Sequence, residues 1–224
     1  MATPKMSFWS AENATKAYIR TMNMAKREDV KELNGAEFVS ALAAGNNARF
    51  TVVACAGPVD SITLALAAAS QQTGGRVICI LPENYSRSNL SLVSSSNGMH
   101  VEFVVGDAQE LILNKYREAD FIAVDCNLDH HEEIFRSVEG SGRVMNTVVL
   151  GYNAFGKPSW RSGTGLRINL LPIGEGLLMT RIPVKKIVSN GVQKRGNWIV
   201  KVDKCTGEEH FFRVRSSPRS VIEA

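Results

Sequence analysis

Residues 49–83, RFTVVACAGPVDSITLALAAASQQTGGRVICILPE, constrain the fold more than any other stretch of this chain. Residues 50–55 are a β-branched apolar run, and Gly57-Pro58 breaks it. Residues 61–70 are alanine-rich and read as a helix, which Gly74-Gly75 stops before a second apolar run at 77–81. Two strands joined through a helix lie parallel, which predicts an α/β sheet with any ligand at the carboxyl ends of its strands. The first turn holds one glycine, Gly57, and the strands end on apolar residues. Dinucleotide and adenosyl sites usually carry several glycines and an acid at those places.

The rest of the chain continues the alternation and then abandons it. Ser10 can cap a helix over 11–25, and a second helix, 36–44, stops at Gly45-Asn46. After the opening unit come a helix at 86–96 ended by Asn97-Gly98, a strand at 100–105 and a short helix at 109–116. A strand at 120–125, a helix at 129–138 and a long apolar strand at 144–152 follow, then a glycine-containing loop, 153–165. From there only strands are expected: a hairpin of 166–171 with 177–182, and another of 197–202 with 210–215. The pattern predicts a mainly parallel sheet finished by antiparallel edge strands.

The 224 residues suffice for one well-buried domain, and 44% hydrophobic with 21% charged is an ordinary soluble composition. No apolar run is long enough for a membrane span. The first twenty residues include Glu12 and lack an apolar core, so a cytoplasmic or nuclear location is expected. Cys55, Cys79, Cys126 and Cys205 form no CxxC pair, which suits reduced thiols. Charge is uneven: residues 181–224 hold 10 Lys and Arg against 4 Asp and Glu, while the first 180 hold 16 against 18. A basic tail on a slightly acidic body marks a nucleic-acid partner, or only keeps exposed strands soluble.

AEFVSALAAGNNARFTVVACAG, HVEFVVGDAQELI, ADFIAVDCNLDHHEEIF and INLLPIGEGLLMTRI occur in that order. Together they resemble S-adenosylmethionine (SAM)-dependent O-methyltransferases of the caffeoyl-CoA/catechol type over about residues 36 to 182. In that family a Gly-Asp-Ala follows strand three, an acid ends strand four, and a leucine-proline-small-Gly-acid-Gly turn joins the last two strands. The whole chain looks closer still to an uncharacterised plant family, a domain of unknown function grouped with these enzymes, through its WSAENATKAYI start and Thr-Gly-Glu-Glu-His ending. The resemblance implies a Rossmann-like methyltransferase fold over residues 1–182. Residues 183–224 would form a basic C-terminal β-hairpin extension of the same domain.

It also implies a site. The methionine part of SAM would lie over Cys55, Ala56, Gly57 and Ser61, with the adenine against Asp107 and Ala108. Asp125 would stand beside the methyl-transfer position and, with Asn153, would represent the family's divalent-metal ligands. The family's acids of strands one and two fall at Val53 and Leu81, its first glycine at Cys55, and its Asp-Asn pair is reduced to Asn153. Glu83 stands two residues past the ribose acid's position and can replace it. A SAM-dependent protein with a degenerate cofactor site, O-methylating a small hydroxylated acceptor, is one expectation. A non-catalytic scaffold for a protein or nucleic-acid partner is the other.

The residues themselves leave the chemistry open. Asp125, Asn127, Asp129, His130 and His131 form the richest polar cluster. It offers carboxylates for Mg²⁺ and, in His130, a catalytic base beside Asp125; equally, Asp125 and Asp129 can cap the next helix. Tyr152, Asn153, Lys157, Trp160 and Arg161 follow the fifth strand, where an aromatic or anionic acceptor would bind.

Overall fold

β1 (Phe50–Ala54) is an interior strand of a seven-stranded sheet, flanked by strands as apolar as itself. The computed structural model describes residues 9–27, 35–83, 101–157, 162–184, 197–202 and 209–214. The chain forms two compact units, residues 1–185 and 186–224. In the first, β1 pairs in parallel with β2 (Arg76–Leu81) on one side and β4 (Phe121–Asp125) on the other. β3 (Val101–Val105) extends the sheet beyond β2, and β5 (Thr147–Tyr152) extends it beyond β4, both in parallel. β7 (Leu177–Ile182) then runs antiparallel to β5, and β6 (Asn169–Leu171) antiparallel to β7. The order β3-β2-β1-β4-β5-β7-β6 reverses direction between β1 and β4, which opens a crevice at their carboxyl ends.

Helices cover both faces, which explains why the strands are continuously apolar. Val53, Cys79 and Leu150 point into a layer with α1 (Ala11–Arg27), α2 (Ala36–Gly45) and α3 (Ser61–Thr73) through Ala17, Val39, Ala43 and Leu66. Val52, Ile78 and Ile122 point the other way, onto Ile112 of α4 (Ala108–Asn114) and Phe135 of α5 (His131–Gly140). The small side chains of α3, Ala65 and Ala67–69, are all buried. They let a helix with apolar residues nearly all round lie between the sheet and its outer helices.

The helix ends follow the sequence in most places. Ser10 Oγ accepts the Asn13 N–H at 3.2 Å, and Gly74, in the left-handed region at φ 66, closes α3. α5 departs from expectation. It begins at His131 with no side-chain cap, so neither Asp125 nor Asp129 caps it. Asp125 instead accepts the Asn127 N–H at 2.9 Å, and the turn this makes delays the helix. The strand expected at 144–152 begins only at Thr147. The helix expected at 86–96 lies outside the described residues.

The turn at 172–176 is held from below. Ala154 and Phe155 donate their N–H groups to the carbonyls of Gly176 and Glu175, at 3.1 and 2.9 Å. The second unit contains β8 (Asn197–Val202) and β9 (Glu209–Val214), an antiparallel pair with Ile199 opposite Phe212. Among the described residues no helix is long and apolar enough to cross a membrane.

Gly176 has φ 88, and a Cβ there would meet Phe155 Cδ1 at 2.8 Å and Phe155 N at 2.9 Å. Gly176→Ala is therefore expected to destabilise the fold by about 1–3 kcal/mol. Gly163→Ala, where nothing lies within 4 Å, should stay within about 0.5 kcal/mol. Paired denaturant titrations check both.

Candidate functional site

A cavity of about 480 Å³ opens at the carboxyl ends of β1 to β4. Cys55, Leu81 and Gly106 contribute to its floor, and Glu83, Asp107, Ala108, Asp129 and His130 to its sides. The right-handed alternation of strand and helix brings these sequence-distant residues to one edge. Glu83 is exposed at the mouth, two residues beyond a fully buried Leu81. Asp107 caps α4 through the Glu110 N–H at 2.6 Å, a bond that engages Oδ1.

The turn between β1 and α3 is closed by the protein's own carboxylates. Asp60 is the cap of α3: its Oδ1 accepts the Thr63 N–H at 2.8 Å and the Thr63 hydroxyl at 2.9 Å. Asp125, 7% exposed, reaches the Ala56 N–H with Oδ2 at 3.4 Å and accepts the Asn153 side-chain amide with Oδ1 at 2.9 Å. Tyr152, 2% exposed, lies beneath them, its hydroxyl donating to Cys55 Sγ at 3.8 Å. Cys55 and Cys79 bring their sulfurs to 3.4 Å.

Burial is the largest influence on the proton affinities of Asp60, Tyr152 and Cys126. It raises the Asp60 carboxyl above the ordinary range, although the Thr63 bonds oppose it. Burial also holds the Tyr152 phenol well above its usual value, reinforced by charge at Cys55 and Asp60. Cys126 is pushed up to about 12 by burial and then by Asp125. The Cys79 thiol is raised by its bond to Cys55 and by burial. Cys79 and Cys126 are therefore inert core groups.

A neighbouring hollow of about 340 Å³ is lined by Cys126, Asn127, His131, Arg136 and Lys157. It shares Leu128, Asp129, His130 and Glu133 with the first. The loop after β5 is anchored beside it. Glu139 accepts the hydroxyls of Ser162 and Thr164 and the Thr164 N–H, and these bonds hold its carboxyl low against the effect of burial.

The structure thus gathers Cys55, Glu83, Asp107, Ala108 and His130 around one cavity. Ala56 and Gly57 are half-buried on the adjoining turn, and Ser61 is exposed as the first residue of α3. A Cβ on Gly57 would meet nothing within 4 Å, so this turn is not tight. Tyr152 does not face outward as an acceptor-binding residue; strand alternation turns it inward with Val148 and Leu150. Trp160 and Arg161 lie outside the described residues. Asp60 is the residue that sequence reasoning missed, and its signal was an Asp directly before the helix-opening Ser61 with Thr63 three positions on.

A metal does not fit here. Asp125 and Asn153 do meet, but as acceptor and donor of one hydrogen bond, and an amide nitrogen aimed at a carboxylate is no cation ligand. Among the described residues no three His, Cys, Asp or Glu side chains are grouped to hold a metal.

Comparison with solved structures defines the fold. A methyltransferase from Geobacter sulfurreducens superposes with TM-score 0.53 at 18% identity, covering 74% of this chain and 88% of its own. A putative caffeoyl-CoA O-methyltransferase from Staphylococcus aureus gives 0.51 at 16%, covering 74% and 91%. The O-methyltransferase TomG of Streptomyces achromogenes, solved with SAM, gives 0.50 at 16%, covering 75% and 90%. The fold is that of Rossmann-like methyltransferases. No curated protein sequence matches the chain. Residues 6–214 match the family described as "Protein of unknown function (DUF1442)", and the chain belongs to that family.

Asp60→Ala removes the α3 cap and should cost about 1 kcal/mol at neutral pH, a fall of about 2–4 °C in Tm at this chain length. Asp60→Asn keeps a capping oxygen and removes a buried charge. The native Asp60 carboxyl lies above its reference value of 3.8, so the folded state takes up its proton first. Wild-type stability from this group therefore rises as pH falls from above the raised value towards 3.8. Asn cannot titrate. The stability of Asp60→Asn relative to wild type should be greatest at neutral pH and decline across that window in urea melts.

Proposed function

We propose that this chain binds an S-adenosyl ligand in the strand-end crevice and methylates a small hydroxylated acceptor. One observation carries the reading: the hollow at the sheet's reversal point is open, at about 480 Å³, with Glu83 on its rim. Its length from Cys55 to Asp107 and Ala108 spans the positions that the family resemblance gives to the tail and the base. The likeness to methyltransferase structures supports the fold of the site.

When bound, SAM supplies an activated methyl group for in-line displacement. The chain's part is chiefly positioning. Glu83 accepts the ribose hydroxyls from the mouth of the crevice, and Asp107 and Ala108 flank the base. Asp125 fixes the first turn through Ala56 and the fifth-strand loop through Asn153. An acceptor would occupy the adjoining hollow, with Lys157 on its wall for an oxygen. His130 stands in the wall common to both hollows and takes the hydroxyl proton on a ring nitrogen. No step of this reaction passes through a metal.

A scaffold reading is favoured by Val53 and Leu81, both 0% exposed where the family carries acids. Calorimetry separates the two. SAM and S-adenosylhomocysteine should bind, and Glu83→Ala should weaken both by about tenfold or more, the loss of a charge-assisted hydrogen bond. His130→Ala should leave S-adenosylhomocysteine affinity unchanged and lower turnover by about a hundredfold once an acceptor is found. No heat with either ligand at millimolar concentration would leave the scaffold.

A further inference from the structure

The second unit holds all of the chain's net charge. Residues 186–224 contain 8 Lys and Arg against 4 Asp and Glu, while residues 1–185 contain 18 against 18. Three of the four acids, Asp203, Glu208 and Glu209, fall in sequence between Val202 and His210, at the closed end of the β8–β9 ladder. Residues 186–202 and 210–222 contain none. The open end, where Asn197 pairs with Val214, is therefore approached by basic sequence from both sides.

Register adds rings to that charge. Trp198 is opposite Arg213, Ile199 opposite Phe212, Val200 opposite Phe211 and Lys201 opposite His210, so four successive rungs each carry one ring. Strand alternation puts positions 198, 200, 211 and 213 on one face of the ladder. That face joins two aromatic residues to an arginine, and its one acid, Glu209, is at the far rung with Val202. Solubility requires cations but no such grouping of rings. A two-stranded ladder buries neither face on itself. Rings on a sheet face with cations beside them form the arrangement on which single-stranded nucleic acids stack their bases and seat their phosphates.

We propose that the β8–β9 hairpin binds single-stranded nucleic acid, with bases on Trp198 and Phe211 and a phosphate on Arg213. Stacking and charge carry no sequence code, so binding is tolerant of sequence. The proposal is independent of the strand-end crevice and stands or falls apart from the adenosyl reading.

Fluorescence anisotropy tests this with the full chain and labelled oligouridylate and oligothymidylate of about 12 nucleotides, across a series of salt concentrations. Both should bind, with affinity falling as salt rises. Arg213→Gln should flatten the logarithmic salt slope by about 0.7, the loss of one phosphate contact. Trp198→Ala should weaken binding about tenfold at every salt concentration and leave the slope unchanged. Trp198→Phe keeps a ring and should retain most of the affinity, while abolishing the tryptophan quenching that the unlabelled oligonucleotide produces in wild type. Absence of binding at low salt overturns the proposal. So does binding that Trp198→Ala leaves intact, which would reduce the hairpin to a diffuse cation. A quench by phosphatidylserine vesicles but not by oligonucleotide would assign the face to a membrane surface and overturn it too. The wild-type salt series and the Trp198→Phe quench decide even where Trp198→Ala does not fold.

Discussion

Burial of β1 on both faces and along both edges is the constraint from which the site follows. Val52, Val53 and Ala54 are wholly inaccessible, and their backbone groups are paired to β2 and β4. That pairing ends with the Cys55 N–H, which donates to Ile80 O at 3.0 Å, and the chain then turns through half-buried Ala56 and Gly57 to reach the buried Thr63. Unpaired N–H groups there cost free energy comparable to lost hydrogen bonds. Asp60 and Asp125 provide the acceptors. Both carboxylates gather at the carboxyl edge because the backbone needs them there, whatever ligand arrives later.

The same constraint explains the chain's departures from the methyltransferase pattern. Val53, Cys55, Cys79 and Leu81 all belong to the layer packed on α1, α2 and α3. An acid at Val53 or Leu81 would be enclosed by apolar side chains unless it reached the crevice, and an unpaired buried carboxylate is expensive. Replacing both with apolar residues completes the core. The carboxylate next along the chain from Leu81 is Glu83, which lines the crevice. Tyr152 is the exception inside, its hydroxyl donating to Cys55 Sγ at 3.8 Å.

Much of this is legible in the amino-acid sequence alone. The apolar runs around Gly57-Pro58 and Gly74-Gly75 mark β1 and β2 to within one residue and the start of α3, which runs three residues past its expected end, and the loss of helical spacing after the fifth strand marks the antiparallel edge. The site is legible only in outline. Period-two alternation already puts Tyr152 on the same face as Val148 and Leu150, yet its place at the strand end suggests an exposed role. Asp125 stands out in the sequence, but its partners are not local. Asn153 is 28 positions away and Ala56 is 69 positions away. Such pairings are fixed by the β1–β4–β5 neighbourhood, which depends on tertiary packing rather than local pattern.

Asp125 therefore couples two parts of the protein that a methyltransferase-type site must hold in register. Its Oδ2 reaches the turn under the proposed donor, and its Oδ1 holds Asn153, a non-glycine residue at φ 56 that starts the loop beside the second hollow. A left-handed asparagine is tolerated there because its amide is pinned to a nearly buried carboxylate. The carboxylate works as a strut between the first turn and the fifth-strand loop. On that geometry, the first turn and the fifth-strand loop are held in register by a hydrogen-bonded frame.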